Sequence, residues 1–142
     1  MRVALAAHRL SIDTSDEWLA DEMDPKTLEL HGLYLRSSEH GVYFNVRAQG
    51  VGQHPLTRDG LLAVLHEQSW ASAPFDEWAL TSGTLTLVGG TFETVGMGGE
   101  VVLEVFVTDG HVVATLAGPG ERSVIAAVTP SVQRLASSLR FE

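Results

Sequence analysis

Between Trp78 and Ala117 the apolar residues fall in short runs, separated by Gly89-Gly90, by Gly96-Met97-Gly98-Gly99 and by Asp109-Gly110. That punctuation predicts a meander of antiparallel strands. Asp-Gly between two apolar runs signals a type I′ hairpin, because both central residues of that turn take positive φ. With Asp109 and Gly110 as the turn, Thr108 faces His111, Val107 faces Val112, Val105 faces Ala114 and Leu103 faces Leu116. One face of the hairpin is then apolar throughout: Leu103, Val105, Val107, Val112, Ala114 and Leu116. The other carries Phe106, Val113, Val102 and Ala117, diluted by Glu104, Thr115 and the Thr108–His111 pair. A sheet that is apolar on both sides needs cover on both.

Two segments have the helical period that such cover requires. In Leu56–Ser72, Thr57 is a good N-cap, Asp59 lies in the first turn, and Leu61, Leu62, Leu65 and Ser69 share a stripe. Pro74 ends it. In Ser123–Leu139, residues Val124, Ile125, Val128, Val132, Leu135 and Leu139 recur at helical spacing. Pro130 interrupts that run, either as the first residue of a new helix capped by Thr129 or as a kink.

Upstream, Val3–Ile12 suits a first strand, and Thr27–Ala48 two strands meeting across Ser38-Glu39-His40-Gly41. In the second of these, Val42, Phe44, Val46 and Ala48 form the inner face while Tyr43, Asn45 and Arg47 point away. Leu28 and Leu30 differ in parity from Leu33 and Leu35, which predicts a β-bulge at Gly32. Trp18 is expected to plug one end of the core, and Trp70, Phe75 and Trp78 to close another. The fold class is therefore α+β: one domain spanning 1–142, with an antiparallel sheet between two helices in an α/β/α sandwich.

Composition narrows the function. Eighteen acids against nine Lys plus Arg leave a net charge of −9, which argues against nucleic acid and against anionic membrane surfaces. The absence of cysteine removes disulfides, thiolate nucleophiles and thiolate metal sites. No apolar run approaches membrane-spanning length, and MRVALAAHRL is too short for a signal-peptide core. A cytoplasmic protein without membrane insertion is expected.

Candidate chemistry is sparse. Six acids lie between Asp13 and Asp24 without the ligand spacing or central glycine of a calcium loop. They read as a solvated turn and a short helix start capped by Thr14 or Ser15. None of the six histidines forms a close His-x-His or His-x-x-x-His pair, and His66-Glu67 lacks the second histidine of a metalloprotease helix. No Gly-x-Ser-x-Gly elbow occurs, and Gly96-Met97-Gly98-Gly99 has no following lysine, so it suits a hairpin connection better than a phosphate cradle. No catalytic residue, metal or cofactor is expected.

A strand leading from Leu10-Ser11-Ile12 to Trp18, a hairpin, a helix, a long meander and a closing helix ending in Ser138-Leu139-Arg140 resemble the Mog1/PsbP/DcrB-like group. The sequence has Thr14-Ser15-Asp16-Glu17 where that group commonly carries a proline before the tryptophan. The resemblance implies an α/β/α sandwich and a largely non-catalytic protein whose relatives bind a small GTPase, associate with photosystem II or chaperone secreted effectors. It transfers no functional residue. The expected function is a non-enzymatic protein-binding, adaptor or chaperone-like module, with a secretion accessory or immunity protein as special cases. Its partner, or a second copy in a homodimer, would dock on the under-covered sheet face at Phe106, Val113 and Val102, with Tyr43 at the rim. The alternative is a small-molecule binder or hydrolase of helix-grip type, with Glu104, Thr115 and a histidine converging in a cavity.

Overall fold

The structure, a computed structural model, describes residues 2–5, 10–20, 26, 32–48, 56–67, 73–94 and 99–141. Among them are ten strands: β1 (Arg2–Leu5), β2 (Leu10–Asp13), β3 (Trp18–Ala20), β4 (Leu33–Ser37), β5 (Tyr43–Ala48), β6 (Phe75–Ser82), β7 (Leu85–Glu93), β8 (Glu100–Thr108), β9 (Val113–Glu121) and β10 (Arg140–Phe141). With them are helices α1 (Arg58–His66) and α2 (Arg122–Ser137). The main sheet has seven strands in the order β3-β4-β5-β9-β8-β7-β6, and β1-β2-β10 form a smaller sheet. All pairings are antiparallel.

The main sheet is covered on both sides, as its two apolar faces demand. Under α2, Leu35, Phe44, Val46, Leu103, Val105, Val107, Leu116 and other strand residues pack with Ile125, Val128, Val132 and Leu135. On the opposite face Leu61 and Leu65 of α1 pack on Val88, Phe92, Phe106 and Val113. α1 begins where its cap chemistry places it, with Thr57 Oγ1 accepting from Gly60 N at 3.1 Å. Ser69 and Trp70 lie outside the described residues.

Several expectations are corrected. Val3–Ile12 is not one strand: β1 and β2 run antiparallel with Val3 opposite Ile12. A single ten-residue strand would extend roughly 33 Å, whereas the reversal keeps Leu10 and Ile12 buried over the core. Residues 14–17 do not open a helix. Trp18 N donates to Ser15 O at 3.0 Å, and the chain passes into β3. Burial of Trp18, whose ring meets Phe44 edge-on at 5.7 Å, outweighs the local helix-start signals. Leu28 and Leu30 fall outside the described residues. Gly32 does take φ +78, and a Cβ there would collide with Val46 O, so glycine is required.

The β8–β9 hairpin keeps its predicted faces but not its partners. Thr108 pairs with Val113, Val107 with Ala114 and Val105 with Leu116, a slip of two residues from the Asp-Gly two-residue turn. The cause is the Asp109 side chain, whose Oδ1 accepts from His111 N (2.8 Å) and Val112 N (3.1 Å). Thr108 Oγ1 adds to it by donating to Val112 O at 2.7 Å and accepting from Gly110 N at 3.0 Å. These bonds stabilise a four-residue loop and take Val112 out of the inner face. Because strand side chains alternate with period two, a slip of two preserves every other inward assignment.

Gly89-Gly90 is not a turn but the middle of β7. A Cβ at Gly89 would enter the ring of Trp78, and one at Gly90 would meet Leu65 of α1 at 2.9 Å. Glycine is needed here for close approach on both faces. α2 runs unbroken through Pro130, which is exposed, and Thr129 Oγ1 donates to Ile125 O at 2.7 Å instead of capping a new helix. The Ser138-Leu139-Arg140 tail closes the fold. Leu139 is buried, Arg140 and Phe141 pair with Ser11 and Leu10, and Asp13 N donates to Ser138 Oγ at 3.0 Å.

Candidate functional site

The sheet face that bears α1 is covered unevenly. At the β7–β8–β9 end α1 buries Val88, Phe92, Phe106 and Val113. At the other end, alternation along β3, β4 and β5 sends Trp18, Leu33, Leu35, Phe44 and Val46 into the α2 core. Their neighbours Leu19, Tyr34, Arg36 and Tyr43 are thereby turned to the outer face. Leu19 stands opposite Arg36, and Arg36 opposite Tyr43, so these three form a row across three strands. Tyr34, opposite Asn45, begins the adjoining row. Leu19 is 43% exposed, Tyr34 39% and Tyr43 47%. Among the described residues they are three of the five large hydrophobic side chains that are exposed, the others being Leu56 and Leu80.

Of the residues singled out from the sequence, Tyr43 alone lies on this surface. Phe106 and Val113 sit under α1, exposed by only 1% and 3%, and Val102, between Phe92 and Pro119, by 8%. The expectation that these three face a partner is corrected: the nine-residue α1 is short, but Leu61 and Leu65 suffice to seal that end of the sheet. Leu19, Tyr34 and Arg36 join Tyr43 on this surface. Tyr34 and Arg36 were legible from their parity against Leu33 and Leu35. Leu19 was hidden by the acidic segment's resemblance to a helix start.

Glu104 and Thr115, the polar pair expected to line a cavity, lie on β8 and β9 facing the α1 side, in neighbouring rows. Three recesses among the described residues, of about 410, 270 and 190 Å³, are lined by other residues.

One polar cluster ties the β2–β3 turn, the β4–β5 turn and α2 together. Glu17 Oε2 accepts from Ser131 Oγ at 2.7 Å, and Ser131 Oγ accepts from Arg134 at 2.8 Å. Glu17 Oε1 lies 3.4 Å from Ser37 Oγ and 3.6 Å from His40 Nδ1. Serine, histidine and carboxylate together invite comparison with a hydrolytic triad, but the connectivity differs. Ser37 and Glu17 both approach Nδ1 of His40, whereas a relay needs them on opposite ring nitrogens. Ser37 is also fully buried, so no substrate carbonyl reaches it. Elsewhere His66 Nε2 meets Glu77 at 2.8 Å at the surface and joins the end of α1 to β6.

Among the described residues no helix is long and apolar enough to cross a membrane. No protein-family model matches the sequence, and no curated protein matches it. A solved structure does match: the solution structure of cyanobacterial PsbP (CyanoP) from Synechocystis sp. PCC 6803, with a TM-score of 0.61 and 11% sequence identity. The match covers 100% of this chain and 92% of that one. At that identity the likeness is one of fold, and it agrees with the mixed α+β architecture of antiparallel sheets and two helices. The chain has a PsbP-like fold.

Proposed function

We propose that this protein is a non-enzymatic protein-binding module that holds its partner on the outer face of β3, β4 and β5. The observation that carries the reading is the convergence of Leu19, Tyr34 and Tyr43 around Arg36 on one sheet face. Tyrosine and arginine are enriched in protein interfaces and at their hot spots, because each joins a large apolar contact to a directional polar group. Arg36, half-buried between Leu19 and Tyr43, fits a partner that presents a carboxylate within an apolar contact. Adaptor or chaperone-like action in the cytoplasm is the role we propose for it, since such a surface holds a protein without transforming it.

The test is site-specific photo-crosslinking from position 43 in the native host, with position 58 on exposed Arg58 as control. A single protein crosslinked from 43, and lost on Arg36→Glu or Tyr34→Ala with unchanged melting temperature, is the expected result. Crosslinking to a second copy of the chain would identify a homodimer instead. Equal yields from both positions would refute the surface.

A further inference from the structure

We propose that Glu17, Glu39 and His40 form a binding site for a divalent transition-metal ion, with zinc the best fit. One ligand atom from each of these residues lies within 4.8 Å of the other two. The two turns that carry them are locked together, because Ser38 N and Ser38 Oγ both donate to Glu17 O, at 2.8 and 3.1 Å. His40 is held by its own backbone, its N donating to Ser37 Oγ at 3.1 Å. Glu17 and His40 are thus held by the fold, which is what a metal site requires of its scaffold.

The spacing of two of these atoms is close to that of ligands on one ion. Glu17 Oε1 and His40 Nδ1, whose side chains are 13% and 24% exposed, approach to 3.6 Å, too far apart for a hydrogen bond. Two ligand atoms each about 2.1 Å from a tetrahedral ion stand roughly 3.4 Å apart. The observed gap is close to that spacing, and Ser37 Oγ, 3.4 Å from both atoms, is the group a cation would displace from between them. The other oxygen of Glu17 is already engaged by Ser131, itself backed by Arg134, so the carboxylate is oriented with Oε1 toward His40. Outer partners of that kind set ligand orientation in metal sites. Arg134 reaches Ser131 on the Oε2 side, and its charge is the one cationic group in the network opposing the ion.

Two carboxylates and an imidazole are a mixed oxygen and nitrogen set, suited to zinc and manganese rather than to calcium, which takes oxygen ligands alone. Three protein ligands leave one tetrahedral position for water. Glu39 is exposed, so it is the ligand whose loss costs the fold least.

The test is isothermal titration of the full chain with zinc chloride, with metal content after dialysis measured by mass spectrometry. We expect one zinc per chain, at least tenfold weaker binding in Glu39→Gln and in His40→Ala, and no change in His66→Ala. Circular dichroism establishes that each variant is folded, and Glu39→Gln, altering an exposed side chain, remains informative if His40→Ala fails to fold. Absence of one-to-one binding at zinc concentrations up to about 1 mM, or wild-type affinity in Glu39→Gln, would overturn the proposal.

Discussion

Trp78 of β6 occupies the volume that a Cβ on its cross-strand neighbour Gly89 would need. The contact depends on an irregularity two residues earlier. A register shift between Phe75 and Trp78, with Asp76 at φ 50, lets both aromatic residues pack toward the α2 core although they are three positions apart. Regular alternation would send them to opposite faces. Gly89→Ala should therefore displace the indole and lower stability by about 1–3 kcal/mol, the usual range for overpacking. Chemical denaturation with tryptophan fluorescence checks both effects; a native emission spectrum with unchanged stability would contradict the packing described.

The burial of Phe106 separates two residues that the sequence grouped together. Phe106→Ala removes a fully buried ring beneath α1 and should cost about 3–5 kcal/mol. Phe106→Asp, which leaves an unpaired charge in the same place, should unfold the chain outright. Tyr43→Asp, on an exposed side chain, should change stability by no more than about 0.5 kcal/mol. Thermal melts of the three variants distinguish core from surface directly.

Asp109 sets the β8–β9 loop through a side-chain acceptor rather than through backbone permissiveness alone. Asp109→Ala removes both bonds to His111 N and Val112 N and should cost about 1–2 kcal/mol, whereas Asp109→Asn keeps an acceptor and should lose less. Urea denaturation ranks the pair. Equal losses would indicate that the carboxylate acts by charge instead.

Thr57→Ala deletes the N-cap of α1 and should cost about 1 kcal/mol. Because α1 seals Phe106 and Val113, fraying of its first turn should also speed amide exchange in β8 and β9, which hydrogen exchange resolves strand by strand.

Much of this protein is legible in its residues. The alternation of Leu103, Val105, Val107, Ala114 and Leu116 determines which side of the meander is core, whatever the register, because strand geometry has period two. The helical periods of Leu61–Leu65 and Ile125–Leu135, and the cap at Thr57, determine two helices and a sheet with two faces to cover. Only the tertiary structure decided three further points. The Asp109 side chain overrode the Asp-Gly turn rule and moved the register by two. Gly89-Gly90, locally a turn signal, became mid-strand because Trp78 and Leu65 approach the backbone from opposite sides. And the place of α1 over Phe106 and Val113 decided which part of the second face stays open, moving it to Leu19, Tyr34, Arg36 and Tyr43. Local propensity and periodicity act between near neighbours in the chain, whereas the cover by α1 is decided by contacts between residues more than twenty positions apart, on which neither bears.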